Sequence, residues 1–99
     1  MVKVIWTERS LKDLEEIGEY ISKDSPKYAR LTLEKLIETA RLIEHNQLIG
    51  RIVPEINQRD IRELITGSYR IIYQVSENEN AHILTVHHSS RLLSNNPIL

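Results

Sequence analysis

At 99 residues and 11.6 kDa, the chain has the size of one domain and can bury roughly 60% of its unfolded surface without covalent staples. It contains no cysteine, which excludes disulfide frameworks, thiolate catalysis and Cys-ligated zinc or iron–sulfur sites. Against 14 Asp+Glu stand 13 Lys+Arg, so the formal charge is −1 and the basic excess of a dedicated nucleic-acid binder is missing.

With 27% charged residues and only three Gly and three Pro, the balance is that of a globular chain rather than a disordered one. No apolar run approaches the roughly 18–20 residues of a membrane span, and the first residues pass straight into charged helix. The expectation is one soluble, cytoplasmic domain over residues 1–99, with no membrane partner. All five lysines precede residue 36, whereas Arg51, Arg59, Arg62, Arg70 and Arg91 share the second half with His82, His87 and His88. A planar guanidinium suits phosphate or carboxylate, while lysine mostly solvates a surface. The arginine half is where a site is sought.

Val2 to Trp6, interrupted by Lys3, reads as a first strand. From Thr7 or Ser10 the period changes: Leu11, Leu14, Ile17 and Ile21 recur at helical steps with charged residues between them. Ser10 with Asp13 has capping-box spacing, and Thr7 is an equally good N-cap. Ser25-Pro26 then restarts a helix, with Ser25 as cap and Pro26 at the first helical position. That helix is expected to reach about Asn46. Its stripe of Ala29, Leu33, Leu36, Ala40 and Ile43 is widened by Leu31, Ile37 and Leu42 beyond what one sheet face needs.

After Gly50 the pattern turns to β. Ile61 to Thr66 and Tyr69 to Val75 flank Gly67-Ser68, the signature of a type II′ hairpin. A two-residue loop pairs Thr66 with Tyr69, Leu64 with Ile71 and Arg62 with Tyr73. Leu64, Tyr69, Ile71, Tyr73 and Val75 then share the face that packs under the helices. Glu63 and Arg70 fall on the other face as diagonal neighbours within reach of each other. Ala81 to His88 supplies one more strand. The order βααβββ implies an α+β fold: an N-terminal helical hairpin packed on one face of a small, mainly antiparallel sheet. The tail from Leu92 to Leu99 reads as neither strand nor helix, ordering only on contact with a partner.

Adjacent His87 and His88 point to opposite strand faces and lack metal-ligand spacing, so no metal or cofactor is expected. Either histidine suits general acid or base work near pH 6.5, with Ser89 or Ser90 as hydrogen-bond donors. No Gly-x-Ser-x-Gly elbow or phosphate-binding glycine pattern is present.

Over nearly its whole length the chain resembles the RelE/ParE superfamily of bacterial type II toxins. The segments that carry the likeness are Gly50-Arg51-Ile52-Val53-Pro54-Glu55, Ile61-Arg62-Glu63-Leu64, Gly67-Ser68-Tyr69-Arg70-Ile71-Ile72-Tyr73 and Val86-His87-His88-Ser89-Ser90-Arg91-Leu92. The resemblance implies a growth-inhibiting toxin held by a cognate antitoxin. It also implies one of two activities. RelE-like members cleave mRNA on the ribosome without metal, which would make this chain an endoribonuclease. On that reading Arg70 steadies the scissile phosphate, Glu55 is the base, and His87 or His88 is the acid. Arg51, Arg62 and Arg91 would be its nucleic-acid contacts. ParE-like members instead poison DNA gyrase by binding it. Cleavage is the first expectation because Arg70, Glu55 and a histidine together support it; gyrase poisoning is the alternative.

Overall fold

A computed structural model describes residues 1–78 and 80–98. The elements follow as β1 (Val4–Trp6), α1 (Glu8–Ser22), α2 (Pro26–Arg41), a 3-10 turn (Leu42–Glu44), β2 (Arg51–Ile52), β3 (Ile61–Thr66), β4 (Tyr69–Val75), β5 (Ala81–His88) and a second 3-10 turn (Leu93–Asn95). The five strands form one sheet in the order β1-β5-β4-β3-β2. Only the β1–β5 pair is parallel. The α+β architecture and the helical hairpin are as expected. The sheet has one strand more than the sequence suggested.

Helix starts are set locally. Thr7 is the N-cap of α1, its Oγ1 accepting from the Ser10 N–H at 3.2 Å. Ser25 caps α2 by accepting from the Tyr28 N–H at 3.1 Å, with Pro26 in the first turn. The α2 helix proper ends at Arg41 and tightens into the 3-10 turn rather than continuing to Asn46. Asp13 takes no part in a capping box. Its carboxylate crosses to β5 instead, accepting from Thr85 Oγ1 at 2.5 Å and from the Val86 N–H at 2.9 Å.

The β3–β4 register is the one the two-residue loop dictates: Thr66↔Tyr69, Leu64↔Ile71 and Arg62↔Tyr73. Gly67 takes φ +56, and Asn57 is the one non-glycine at positive φ among the described residues, so Ser68 stays at negative φ as type II′ requires. Leu36, Ala40 and Ile43 from the helical layer pack on Ile71, Tyr73, Ile83 and Val86, with Leu64, Tyr69 and Val75 at the margin. Leu84 is an extra residue in β5, since Ile72 pairs with Thr85 and Tyr73 with Ile83.

The opposite face is covered as well. Ile72 is buried there between Val53 and Leu93, with Ile56, Ile61, Leu84 and Ile98 around them. The tail expected to await a partner is therefore packed already, with Leu93 and Asn96 buried. Leu99 lies outside the described residues. No helix among the described residues is long and apolar enough to cross a membrane.

The extra strand, β2, is only two residues long, pairing Arg51 with Glu63 and Ile52 with Arg62. It exists because Gly50 lets the chain approach β3. A Cβ at Gly50 would sit 2.5 Å from the Glu63 carbonyl oxygen and 2.8 Å from the Tyr73 hydroxyl. That hydroxyl accepts from the Gly50 N–H at 2.9 Å and donates to the Gln47 carbonyl at 2.8 Å, fixing the entry to β2. Gly50→Ala should cost about 1–3 kcal/mol through backbone overcrowding. Gly67→Ala, strained but with nothing within 4 Å of its new methyl, should cost about 1 kcal/mol. Urea unfolding midpoints of the two variants test the difference.

Candidate functional site

Strand alternation puts Glu63 and Arg70 on the face away from the helices, as the hairpin register requires. Arg70 is the centre of the group there. Its Nε donates to Glu63 Oε1 at 2.6 Å, while Nη1 and Nη2 grip Glu55 in a two-pronged pair at 2.7 Å each. Arg51, on β2, donates from Nε to the second Glu63 oxygen at 2.7 Å. The Glu63 side chain is 0% exposed and Arg70 10%, whereas Glu55 is 42% exposed on the loop that follows β2. Two guanidinium groups and two carboxylates cancel in charge.

Environment sets the basicity of these groups. The Arg70 hydrogen bonds hold the Glu55 carboxyl down to about 2, from an ordinary 4.5, outweighing a burial effect of opposite sign. The same bonds, chiefly from Glu55 and then from Glu63, raise Arg70 against the opposing effect of burial. What the arrangement does chemically is hold a loop. Each of the three Arg70 nitrogens that can donate is already in a charge-assisted bond to a carboxylate.

The histidines separate. His87 is the direct neighbour of Arg70 across the β4–β5 ladder and is buried on the same face. Its Nδ1 lies 3.0 Å from the Asn96 amide nitrogen and its Nε2 lies 3.0 Å from the Arg91 carbonyl. The amide donates, which assigns the ring proton to Nε2 and leaves both ring nitrogens occupied. His88 faces the helical side, edge-on to Tyr69 with ring centroids 5.3 Å apart, its Nδ1 bonded to Ser90 Oγ at 2.6 Å. Of the other candidates, Arg51 joins Arg70. Arg62 is tied to main-chain carbonyls of Gly50 and Arg59 at 3.0 and 3.1 Å, and Arg91 is exposed beyond the end of β5. Among the described residues, no three His, Asp or Glu side chains gather as metal ligands would.

Two participants escaped the sequence reading. Asn96 sits before Pro97 with no spacing signal, because its partners lie nine and eleven residues back on another element. Asp13 did leave a trace, since it shares helical spacing with Ser10 and Ile17, and an acidic residue on a buried stripe needs a partner.

A fold of this shape, with a helical hairpin over one face of a mixed five-stranded sheet, is that of small toxins of bacterial toxin–antitoxin systems. Residues 4–93 match the family model described as the ParE toxin of the type II toxin–antitoxin system parDE, and the chain belongs to that family. Among solved structures, it is similar to a chain of the chromosomal ParDE system from P. aeruginosa, at 19% identity and a TM-score of 0.72, covering 89% of this chain and 96% of that one. It is also similar to a chain of the RelBE2 toxin–antitoxin complex from Mycobacterium tuberculosis, at 20% identity and a TM-score of 0.58, covering 88% and 96%. Among curated proteins, none matches this sequence.

Arg70→Ala should cost about 3–5 kcal/mol in unfolding free energy, because it strips a buried carboxylate of a partner. Glu55→Gln, at the exposed end of the group, should cost about 1 kcal/mol or less. Chemical denaturation of both variants checks the ranking. A lowered folded-state value means Glu55 stabilises the fold above pH 4.5 and loses that contribution as pH falls through about 2. Stability of Glu55→Gln should therefore fall less steeply than that of the parent chain between those limits. Thermal melts across acid pH test it.

Proposed function

We propose that this chain is the toxin of a type II toxin–antitoxin pair and that it inhibits growth by binding DNA gyrase rather than by cutting mRNA. The observation that carries this reading is the closed state of Arg70. A guanidinium that must stabilise charge developing on a phosphoryl group has to offer free donors to it. Arg70 grips Glu55 through Nη1 and Nη2 and Glu63 through Nε, so three of its five N–H donors are engaged and its side chain is only 10% exposed. A carboxylate held near pH 2 is also far from the neutral value that suits a general base. His87, the histidine on the Arg70 face, is committed to Asn96 and to the Arg91 carbonyl. Membership of the ParE family supports the same choice.

A cognate antitoxin is the second partner of this reading. The similar solved structures come from toxin–antitoxin systems. The helical hairpin here keeps Tyr28 and Leu31 exposed along a groove of about 380 Å³ that reaches Tyr69 and the tip of the β3–β4 hairpin. An amphipathic segment from an antitoxin fits such a surface.

Two assays on purified protein separate the activities. In a cell-free translation extract, the toxin should leave mRNA uncut. With purified gyrase and plasmid, it should accumulate cleaved DNA. Codon-positioned mRNA cuts that vanish in Arg70→Lys, a variant that keeps the charge, would return the function to ribosome-dependent cleavage.

A further inference from the structure

Past Arg91 the tail crosses to the face away from the helices, where Leu93 and Ile98 lie with Val53 and Ile72. Among the described residues, a single side chain of this tail hydrogen-bonds to the sheet. The Asn96 amide donates to Thr85 Oγ1 at 3.1 Å and to His87 Nδ1 at 3.0 Å. The main-chain bonds from Asn95 to Leu92 and from Asn96 to Leu93 stay within the tail. We propose that His87 and Asn96 form an acid-operated latch: a second proton on the imidazole expels the amide, frees residues 92–98 and uncovers the apolar surface of Val53 and Ile72. The inference goes beyond the toxin reading and does not rest on it.

The order of protons along the buried polar series makes the latch sensitive. Thr85 has one hydroxyl proton, and it goes to Asp13 Oδ2, which also takes the Val86 N–H. Toward Asn96 the Thr85 oxygen is therefore an acceptor. On its other side the amide accepts from the Ile98 N–H through Oδ1 at 3.1 Å. Two separate neighbours thus assign which end of the amide is nitrogen, and that nitrogen faces the imidazole. His87 meets it with a lone pair on Nδ1 and gives its one ring proton, on Nε2, to the Arg91 carbonyl at 3.0 Å.

A second ring proton has only Nδ1 to occupy, and there it would point at an N–H. Turning the amide over does not relieve the clash. It would set Oδ1 against a Thr85 oxygen whose proton is already given away, and Nδ2 against the Ile98 N–H. Thr85, His87 and Asn96 are all buried, so two opposed donors there carry the full cost of unmade hydrogen bonds.

Charge around the ring comes in both signs. Across the ladder stands Arg70, balanced by Glu55 and Glu63, with Tyr69 beside it on β4. From α1, Arg9, Asp13, Glu16 and Tyr20 line the cleft that His87 also lines, and the ring's own segment adds His88 and Arg91. Ordinary carboxylates, phenols and guanidinium groups hold one charge state between pH 8 and pH 5, where imidazole changes. His88 is the competing switch, but its Nδ1 bonds to Ser90 on the exposed side and makes no bond to the tail.

The experiment is an NMR titration of the isotope-labelled full chain from pH 8 to pH 5. At pH 8 the His87 ring nitrogens should show the Nε2–H form, and order parameters across 92–98 should be near the rigid value of about 0.85. As His87 gains its proton, those order parameters should fall below about 0.6, with β4 and β5 unchanged and the contact of Leu93 with Ile72 lost in step. His87→Asn, which keeps an uncharged acceptor near Nδ1, should remove the pH dependence. Asn96→Asp, which offers an acceptor to a protonated ring, should reverse it. A tail still ordered once His87 is protonated, loosening that tracks His45, His82 or His88 instead, or a ring still neutral at pH 5 would overturn the proposal. So would simultaneous loss of order across the sheet, the mark of global unfolding by acid. The unaltered chain supplies each of these outcomes, so the decision does not depend on either variant folding. No readout involves gyrase or translation, which keeps it independent of the assays of toxicity.

Discussion

A guanidinium buried between two carboxylates organises the half of this protein that lies under the sheet. Taking charges out of water costs several kcal/mol each, offset only when geometry is good and every donor is used. Arg70 approaches that condition, with one N–H on each of Nε, Nη1 and Nη2 in a charge-assisted bond. Its two carboxylates come from different places: Glu63 from the adjacent strand and Glu55 from the loop after β2. The pair therefore fixes that loop against the sheet, which brings Val53 and Ile56 over Ile72. Leu93 and Ile98 of the tail complete the cover. Polar contacts set the position, and apolar burial then contributes at the usual ~25 cal/mol per Å².

The same contacts decide what the face offers to a ligand. Two Arg and two Glu sum to no net charge, so the group exerts little long-range pull on a polyanion. At close range the fork of Arg70 is already filled. An incoming phosphate would have to displace Glu55 from two charge-assisted bonds before gaining the same two-pronged grip. The sequence places arginine, glutamate and histidine within a few strand positions, which reads as catalytic chemistry. In space, that nearness pairs the charges with one another.

Features legible in the sequence are those whose causes are local. Gly67-Ser68 fixes the hairpin register, and register alone puts Glu63 and Arg70 on one face and separates His87 from His88. Thr7, Ser25 and Pro26 mark helix starts through contacts within three residues. What stayed hidden depends on distant partners. A two-residue strand such as β2 has no periodicity to detect, and it forms because Gly50 tolerates a close carbonyl. The tail has no apolar period and carries a proline, so nothing local shows that Asn96 is held by Thr85 and His87. Asp13 fits capping-box spacing after Ser10, yet Thr7 holds the cap and frees the carboxylate for the sheet.

That carboxylate addresses a problem inherent in small sheets, whose edges present unpaired main-chain groups. Where β1 stops, a side chain of α1 takes over part of the edge. The polar groups beyond it are linked in series: Asn96 donates to Thr85 Oγ1 and to His87 Nδ1, and Thr85 donates to Asp13. All four side chains are buried, so each bond left unmade would cost about 1–3 kcal/mol of desolvation. The series runs from the helical layer, past the edge of β5, to the tail on the far face. It joins two apolar clusters that share no side chain. Apolar packing is tolerant of small shifts in position, whereas a chain of hydrogen bonds with every donor assigned is not. The polar seam thus does what neither cluster can do alone, setting one register between helix, strand and tail.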